Sequence, residues 1–130
     1  MAEQRQVSNF RLTSAIFHIL LALADGERHG YAIMQAVAQE TGDTIRLGPG
    51  TLYRSIQVML AHNLITEVDE RPDPALDDER RRYYRLSDFG KRTVQAEIAR
   101  LGRLVQLAQA KPLLYKPQKR PQIGDAGGAA

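Results

Sequence analysis

The apolar positions before residue 63 recur at helical spacing and predict three helices. The first runs from Thr13, a typical N-cap residue, to about Ala24. Its apolar residues cover most of the circumference, so we expect this helix to be buried on more than one side. The second covers about residues 31–41 and ends at Gly42, where a C-terminal cap belongs. Its expected buried stripe consists of Tyr31, Met34, Val37 and Ala38.

The third helix begins at Gly48-Pro49-Gly50, because proline suits the first helical turn, and ends near residues 62–63. Its expected apolar face is Leu52, Ile56, Met59 and Leu60. The opposite face is small, polar and cationic, with Gly50, Arg54, Gln57 and Ala61. Such a face suits a DNA groove, since small residues allow close approach and Arg and Gln donate to base edges. An ordinary amphipathic core helix fits this pattern equally well.

The segments that flank this helix have the pattern of extended backbone. A short extended piece is expected at residues 44–47, and residues 64–69 alternate as a strand does. Residues 70–79 carry two prolines and many acids, which is typical of a loop, and residues 80–86 predict a returning strand. The expected fold is mainly α with a small β-hairpin, a winged helix-turn-helix whose third helix enters the major groove.

We place the winged-helix domain at residues 12–87, and one long C-terminal helix follows it. Ser87 caps the helix, which is expected over residues 88–110 as a dimerisation helix. Its coiled-coil-like seam has 4-3-4-3 spacing. The extra apolar surface of the first helix would be covered by a second chain or by a long helix that packs over it. The expected dimer interface consists of Phe17, Leu21, Val94, Ile98, Leu101, Leu104, Val105 and Ala108. Residues 1–11 are expected to be a flexible arm, and residues 111–130 a basic, Pro/Gly-rich disordered tail.

The net charge of +3 is unevenly placed along the chain. Residues 1–70 hold 5 basic and 8 acidic side chains, whereas the chain from Arg80 onward holds 12 basic and 3 acidic ones. This asymmetry indicates a polyanionic partner for the second half, although a basic tail alone would give the same balance. The absence of cysteine excludes disulfides and thiolate metal sites. No apolar run reaches membrane-spanning length, and a cytoplasmic location is expected.

These features together predict contacts with double-stranded DNA. Arg54 and Gln57 would face bases, and residues near the start of the third helix would bind phosphates. The wing strand carries four arginines, Arg80, Arg81, Arg82 and Arg85. Alternation along the strand sends about two of the four toward DNA, and the others would pair with the acids at 77–79. The candidate DNA-binding residues are Thr51, Tyr53, Arg54, Ser55, Gln57, Arg80, Arg81, Arg82 and Tyr83.

Enzymatic chemistry is not expected. His18, His29 and His62 lie apart from one another and from acids at metal-ligand spacing, and His29 is expected to be a turn or capping residue. The Gly-Pro-Gly turn at 48–50 lacks the lysine of a phosphate-binding loop. We therefore expect no catalytic residues, metal or cofactor. The alternative function is a winged-helix adaptor that binds only proteins. The exposed Val58 would suit an adaptor, but the cationic helix face and wing favour DNA.

Four motifs in the same order resemble the PadR family of transcriptional regulators. They are residues 17–23 (FHILLAL) with 29–33 (HGYAI), 47–54 (LGPGTLYR), 63–65 (NLI) and 82–90 (RYYRLSDFG). The similarity covers about residues 12–108. It implies a dimeric bacterial repressor of the short branch, in which one C-terminal helix builds the dimer, and hence an inverted-repeat operator.

Some members of that family respond to small aromatic or drug-like molecules bound between the subunits. We do not carry such an effector over to this chain, which has no tryptophan and only Phe89 as an aromatic residue in its last helix. If a pocket for a small hydrophobic or aromatic molecule exists, its expected lining is Phe17, Leu21, Leu101 and Leu104.

Overall fold

The computed structural model describes residues 12–72 and 80–116. Its elements are α1 (Ser14–Leu23), β1 (Arg28–His29), α2 (Gly30–Glu40), α3 (Pro49–Ala61), β2 (Ile65–Pro72), β3 (Arg80–Leu86) and α4 (Asp88–Gln109). Three helices are followed by an antiparallel hairpin and a long last helix. The predicted class, a mainly α winged helix with one long C-terminal helix, is confirmed.

The helices begin at the residues whose chemistry favours a helix start. The Thr13 hydroxyl accepts the N–H of Ile16 at 3.2 Å ahead of α1, and the Ser87 hydroxyl accepts the N–H of Gly90 at 2.9 Å ahead of α4. Pro49 opens α3 directly after the N-cap Gly48. These local signals set the helix starts as the sequence predicts.

The core joins α1, α2 and α3 to the sheet. Its buried apolar residues are Ile16, Ile19, Leu20, Ala22, Leu23, Ile33, Ala36, Val37, Leu52, Ile56, Met59, Leu64, Ile65, Tyr84 and Val94. Phe17 and Leu21 are half-buried and pack against this cluster. The helix α1 is therefore buried on more than one side, as its apolar composition predicts.

The buried stripe of α2 differs from the prediction at Tyr31. This side chain is 52% exposed, whereas Val37 is buried as predicted and Met34 and Ala38 are half-buried. The other buried apolar positions of α2 are Ile33 and Ala36. The sequence of α2 carries apolar residues on two neighbouring faces, so spacing alone does not decide which face packs inward. Tyrosine tolerates the outer face because its hydroxyl remains hydrated.

The sheet has the strand order β1-β3-β2 and is antiparallel throughout. Its third strand is β1, where Arg28 pairs with Tyr84 and His29 with Tyr83. The extended piece predicted at 44–47 is not a strand, because the N–H of Ile45 donates to the Thr41 hydroxyl at 3.1 Å instead of to a strand partner. The sequence therefore predicts the short strand between α2 and α3, whereas the structure has it between α1 and α2.

The hairpin is longer than predicted. The strand β2 continues to Pro72, because Glu70, Arg71 and Pro72 pair with the first residues of β3. The register shifts between Glu67 and Glu70, which marks a bulge in the hairpin. The tip at 73–79, where acids were predicted to pair with arginines, lies outside the described residues.

The chain forms two compact units, residues 1–95 and residues 96–130. The first contains α1, α2, α3, the sheet and the beginning of α4. In the second, α4 is followed by a turn in which the N–H groups of Leu114 and Tyr115 both donate to the Lys111 carbonyl at 3.0 Å. The sequence did not predict this turn. The rest of the tail, 117–130, and the arm at 1–11 lie outside the described residues.

Within residues 12–72 and 80–116, none of the helices combines the length and apolar character that crossing a membrane requires.

Candidate nucleic-acid interface

The outer face of α3 is small, polar and cationic. Gly50, Arg54, Gln57 and Ala61 are all exposed, whereas Leu52, Ile56 and Met59 on the opposite face are fully buried. The buried side chains fix the rotation of the helix about its axis, because each fills a position in the core. As a result, Arg54 and Gln57 point away from the core, where a polyanion can reach them.

Three side chains near the start of α3 are predicted to bind phosphate, and two of them lie at the surface. Tyr53 is exposed and Thr51 is half-buried. Ser55 is only 8% exposed, so the prediction that it contacts DNA is wrong. The reason is its position on the helix, three residues after Leu52 and directly before Ile56, which turns it toward the core.

The first turn of α3 also offers backbone donors. Its N-cap, Gly48, has no side chain with which to bond the first N–H groups. Such N–H groups attract anions, and the helix dipole adds to the effect. This helix start therefore suits a phosphate.

The wing strand β3 carries the cationic side chains. Arg82 and Arg85 are exposed, and Arg82 Nε lies 3.9 Å from Glu67 Oε2 on β2. The wing arginines were predicted to pair with the acids at 77–79. Those acids and the side chain of Arg80 lie outside the described part of the structure. Within the described part, the acid beside Arg82 comes from the neighbouring strand.

Arg81 lies in a cluster with two residues at the start of α2. Its Nη1 is 2.9 Å from His29 Nδ1, and its guanidinium carbon is 5.5 Å from the centre of the Tyr31 ring. His29 Nδ1 also accepts the N–H of Ala32 at 3.1 Å, so His29 is the N-cap of α2, and its predicted capping role is confirmed. The Tyr83 ring meets the His29 ring edge to face, with centroids 5.3 Å apart.

Tyr31 is a surface residue of this cluster that sequence reasoning missed. The available signal was its place in the first turn of α2, directly after His29-Gly30, where a buried stripe has hardly begun. Gly30 lets α2 and α3 approach closely, since a Cβ there would lie 3.3 Å from the Tyr53 hydroxyl. The starts of the two helices are thus neighbours of the wing.

Tyr84 supports the wing from inside. Its ring is buried, and burial, followed by the nearby Glu67 carboxylate, raises the pKa of its phenol above the ordinary value. The phenol is therefore neutral at physiological pH. It anchors β3 by packing and contributes no charge to the surface.

The predicted dimer seam is exposed over its C-terminal part. Ile98, Leu104 and Val105 are 49%, 47% and 54% exposed, and Leu101 and Ala108 are half-buried. Val94 is only 5% exposed and belongs to the core of its own chain, so its placement in the dimer interface is wrong. The first turns of α4 are used to complete the winged-helix core, and this use removes Val94 from the seam.

Residues 19–96 match the family model of the transcriptional regulator PadR-like family. The chain belongs to this family. The match covers the helices α2 and α3, the whole sheet and the start of α4, and it confirms the resemblance found in the sequence. The PadR-like family consists of transcriptional regulators, in agreement with the expectation that the chain is not an enzyme.

Individual proteins are also similar to this chain. The chain is 35% identical over 94 residues to an uncharacterized 37.1 kDa protein in transposon TN4556 of Streptomyces fradiae, a match that covers 72% of this chain. The chain spans only 25% of that protein's length. A Streptococcus transcriptional regulator is 27% identical with a TM-score of 0.61, over 73% of this chain and 88% of that one.

A PadR family regulator from Clostridium difficile R20291 has the same fold. It is 22% identical to this chain with a TM-score of 0.61, and the match covers 78% of this chain and 99% of that one.

Proposed function

We propose that this PadR-family regulator is a repressor that binds DNA sequence-specifically as a homodimer, at an inverted-repeat operator in the cytoplasm. The observation that carries the proposal is the outer face of α3, which presents Arg54 and Gln57 from a winged helix. Arg binds guanine and Gln binds adenine through paired hydrogen bonds in the major groove. This face therefore has the chemistry of base recognition.

The wing supplies the sequence-independent part of the affinity. Arg81, Arg82 and Arg85 follow one another along β3, and Arg82 and Arg85 are exposed. Lysine and arginine side chains that neutralise phosphates release counterions, so binding is expected to fall steeply with salt. Arginine also enters narrow A·T-rich minor grooves, which is where a wing reaches.

The dimer is supported by the exposed seam of α4. Burying Ile98, Leu104 and Val105 against a second copy removes apolar surface from water, which favours association. Two recognition helices related by a two-fold axis would address successive major grooves about 34–36 Å apart. This geometry requires an operator with inverted half-sites.

A binding titration tests this function. The DNA upstream of the protein's own gene is compared with a scrambled duplex at two salt concentrations, with the stoichiometry determined in the same experiment. We expect tighter binding to the upstream DNA at two chains per duplex, with a strong loss at the higher salt. Absence of binding to either duplex at low salt would contradict DNA binding and favour the protein-only adaptor.

A further inference from the structure

His29 contacts two hydrogen-bond donors, the Ala32 amide and the Arg81 guanidinium. The amide lies 3.1 Å from Nδ1, and Arg81 Nη1 lies 2.9 Å from Nδ1 and 3.4 Å from Nε2, so the guanidinium is held over the ring. The amide can only donate, so the single lone pair of Nδ1 accepts it and the proton of the neutral ring is on Nε2. The neutral Nε2–H form of His29 is therefore the one that fits these contacts.

This histidine connects the start of α2 to the wing, which belongs to the proposed DNA surface. Its bond to Ala32 belongs to the start of α2, and its bond to Arg81 reaches the wing strand β3. The Arg81 guanidinium is further confined by the Tyr31 ring, 5.5 Å from its carbon. Because a free arginine side chain samples many rotamers, this confinement reduces the entropy that Arg81 loses on binding.

We propose that His29 is a positioning residue for DNA binding, which holds Arg81 where its guanidinium meets a backbone phosphate. A guanidinium carries five N–H donors and keeps its charge, so a bond to His29 is compatible with a simultaneous bond to phosphate. The inference rests on the proposed function, because it assumes that the wing contacts DNA.

The contact depends on the protonation of His29. A second proton would occupy Nδ1, where it would face the Ala32 amide donor, and it would place a cation within 2.9 Å of the Arg81 guanidinium. Among the described residues, the titratable or charged groups that face the ring include Arg81 and Tyr83 on β3, and Tyr31 on α2 lies beside the Arg81 guanidinium. Acidification into the range where histidine titrates should therefore release Arg81.

Three variants separate positioning from helix capping. Serine is a good N-cap, but its hydroxyl is one bond closer to the backbone than Nδ1, so His29→Ser keeps the cap and loses Arg81. Asparagine places an acceptor oxygen at the position of Nδ1 and does not titrate, so His29→Asn keeps both bonds. Arg81→Ala removes the positioned group itself.

The expected result is a non-additive pattern in DNA affinity at pH 8. His29→Ser and Arg81→Ala each weaken binding about tenfold, as loss of one charge-assisted contact does, and their combination weakens it no further. His29→Asn retains the wild-type affinity. Additive losses, or an unchanged affinity in folded His29→Ser, would overturn the positioning role. Loss in His29→Asn would assign the effect to the ring and its contact with Tyr83.

A pH profile keeps the test independent of variant stability. At pH 8 we expect the wild type and His29→Asn to bind DNA more tightly than His29→Ser does. On acidification to about pH 5.5, the wild type should lose this advantage in affinity and His29→Asn should keep it. An advantage of the wild type that grows on acidification would mean that protonated His29 contacts phosphate directly, which overturns positioning. Wild-type protein that binds no duplex at any pH would instead refute the proposed function, and this inference with it.

Discussion

Gly90 lies directly against the carbonyl group of Leu64, so closely that a Cβ at residue 90 would overlap its oxygen. The same carbonyl accepts the N–H of Ser87 at 3.1 Å, and the Ser87 hydroxyl lies 3.0 Å from it and 2.6 Å from the Asn63 carbonyl. The start of α4 is therefore fixed to the junction between α3 and β2. The absence of a side chain at Gly90 makes this approach possible.

The variant Gly90→Ala is expected to destabilise the protein by about 1–3 kcal/mol, because the added methyl group must displace backbone. Urea unfolding at fixed protein concentration measures the change. Gly102→Ala is the matched control on the same helix, because a Cβ added at residue 102 would have no packing neighbour within 4 Å. It should stabilise by roughly 0.5–1 kcal/mol through helix propensity. Equal effects of both variants would contradict the close contact.

Replacing Arg54 by alanine should cost on the order of 1–3 kcal/mol on the true operator and relax base preference at one position. Fluorescence anisotropy with a panel of single-base operator variants measures both effects. Arg92→Ala removes the same charge from an exposed position on α4 and should leave base preference unchanged. If Arg54→Ala weakens operator and random DNA equally, Arg54 contacts only phosphate.

Removal of Arg82 is expected to weaken binding to every sequence and to flatten the dependence of log affinity on log salt by about one unit per lost phosphate contact. Glu67→Gln keeps Arg82 but removes the carboxylate that lies 3.9 Å from it. This second variant should tighten binding to all duplexes, since a negative charge near DNA is lost. An unchanged salt slope in Arg82→Ala would remove Arg82 from the contact surface.

The variant Leu101→Asp should convert the proposed dimer into monomers, because it places a charge within an apolar seam that association would bury. Light scattering at several protein concentrations measures the molecular mass. Gln106→Asp introduces the same side chain at an exposed position of α4 outside the seam and should leave the dimer intact. A Leu101→Asp protein that is still dimeric would locate the interface elsewhere.

The sequence predicts the features that depend on neighbouring residues. Thr13, Pro49 and Ser87 act within one helical turn, and each begins a helix as expected. The strand β1 was not predicted, because two residues are too few to show the alternating pattern of a strand. Its partners Tyr83 and Tyr84 also lie far away in sequence. Such pairing is a property of the assembled fold.

The site could be predicted in part for the same reason. The exposed face of α3 follows from its apolar spacing, and Arg54 and Gln57 lie on it as predicted. Ser55 was misplaced because a small polar residue can pack among apolar neighbours, and Val94 because the start of α4 packs into the core. Tyr31 and its contact with Arg81 depend on how α2 meets the wing, which no local pattern encodes.

The pairing of β1 with β3 also has a consequence for how the protein folds. Residues 28–29 find their partners only after the intervening helices and hairpin have been brought back to them, which is a contact of large sequence separation. A fragment that ends after α3 would leave β1 without its partner strand and the core without Tyr84. The wing is therefore an integral part of the core that supports α3, and we expect a fragment without the wing to lose that support.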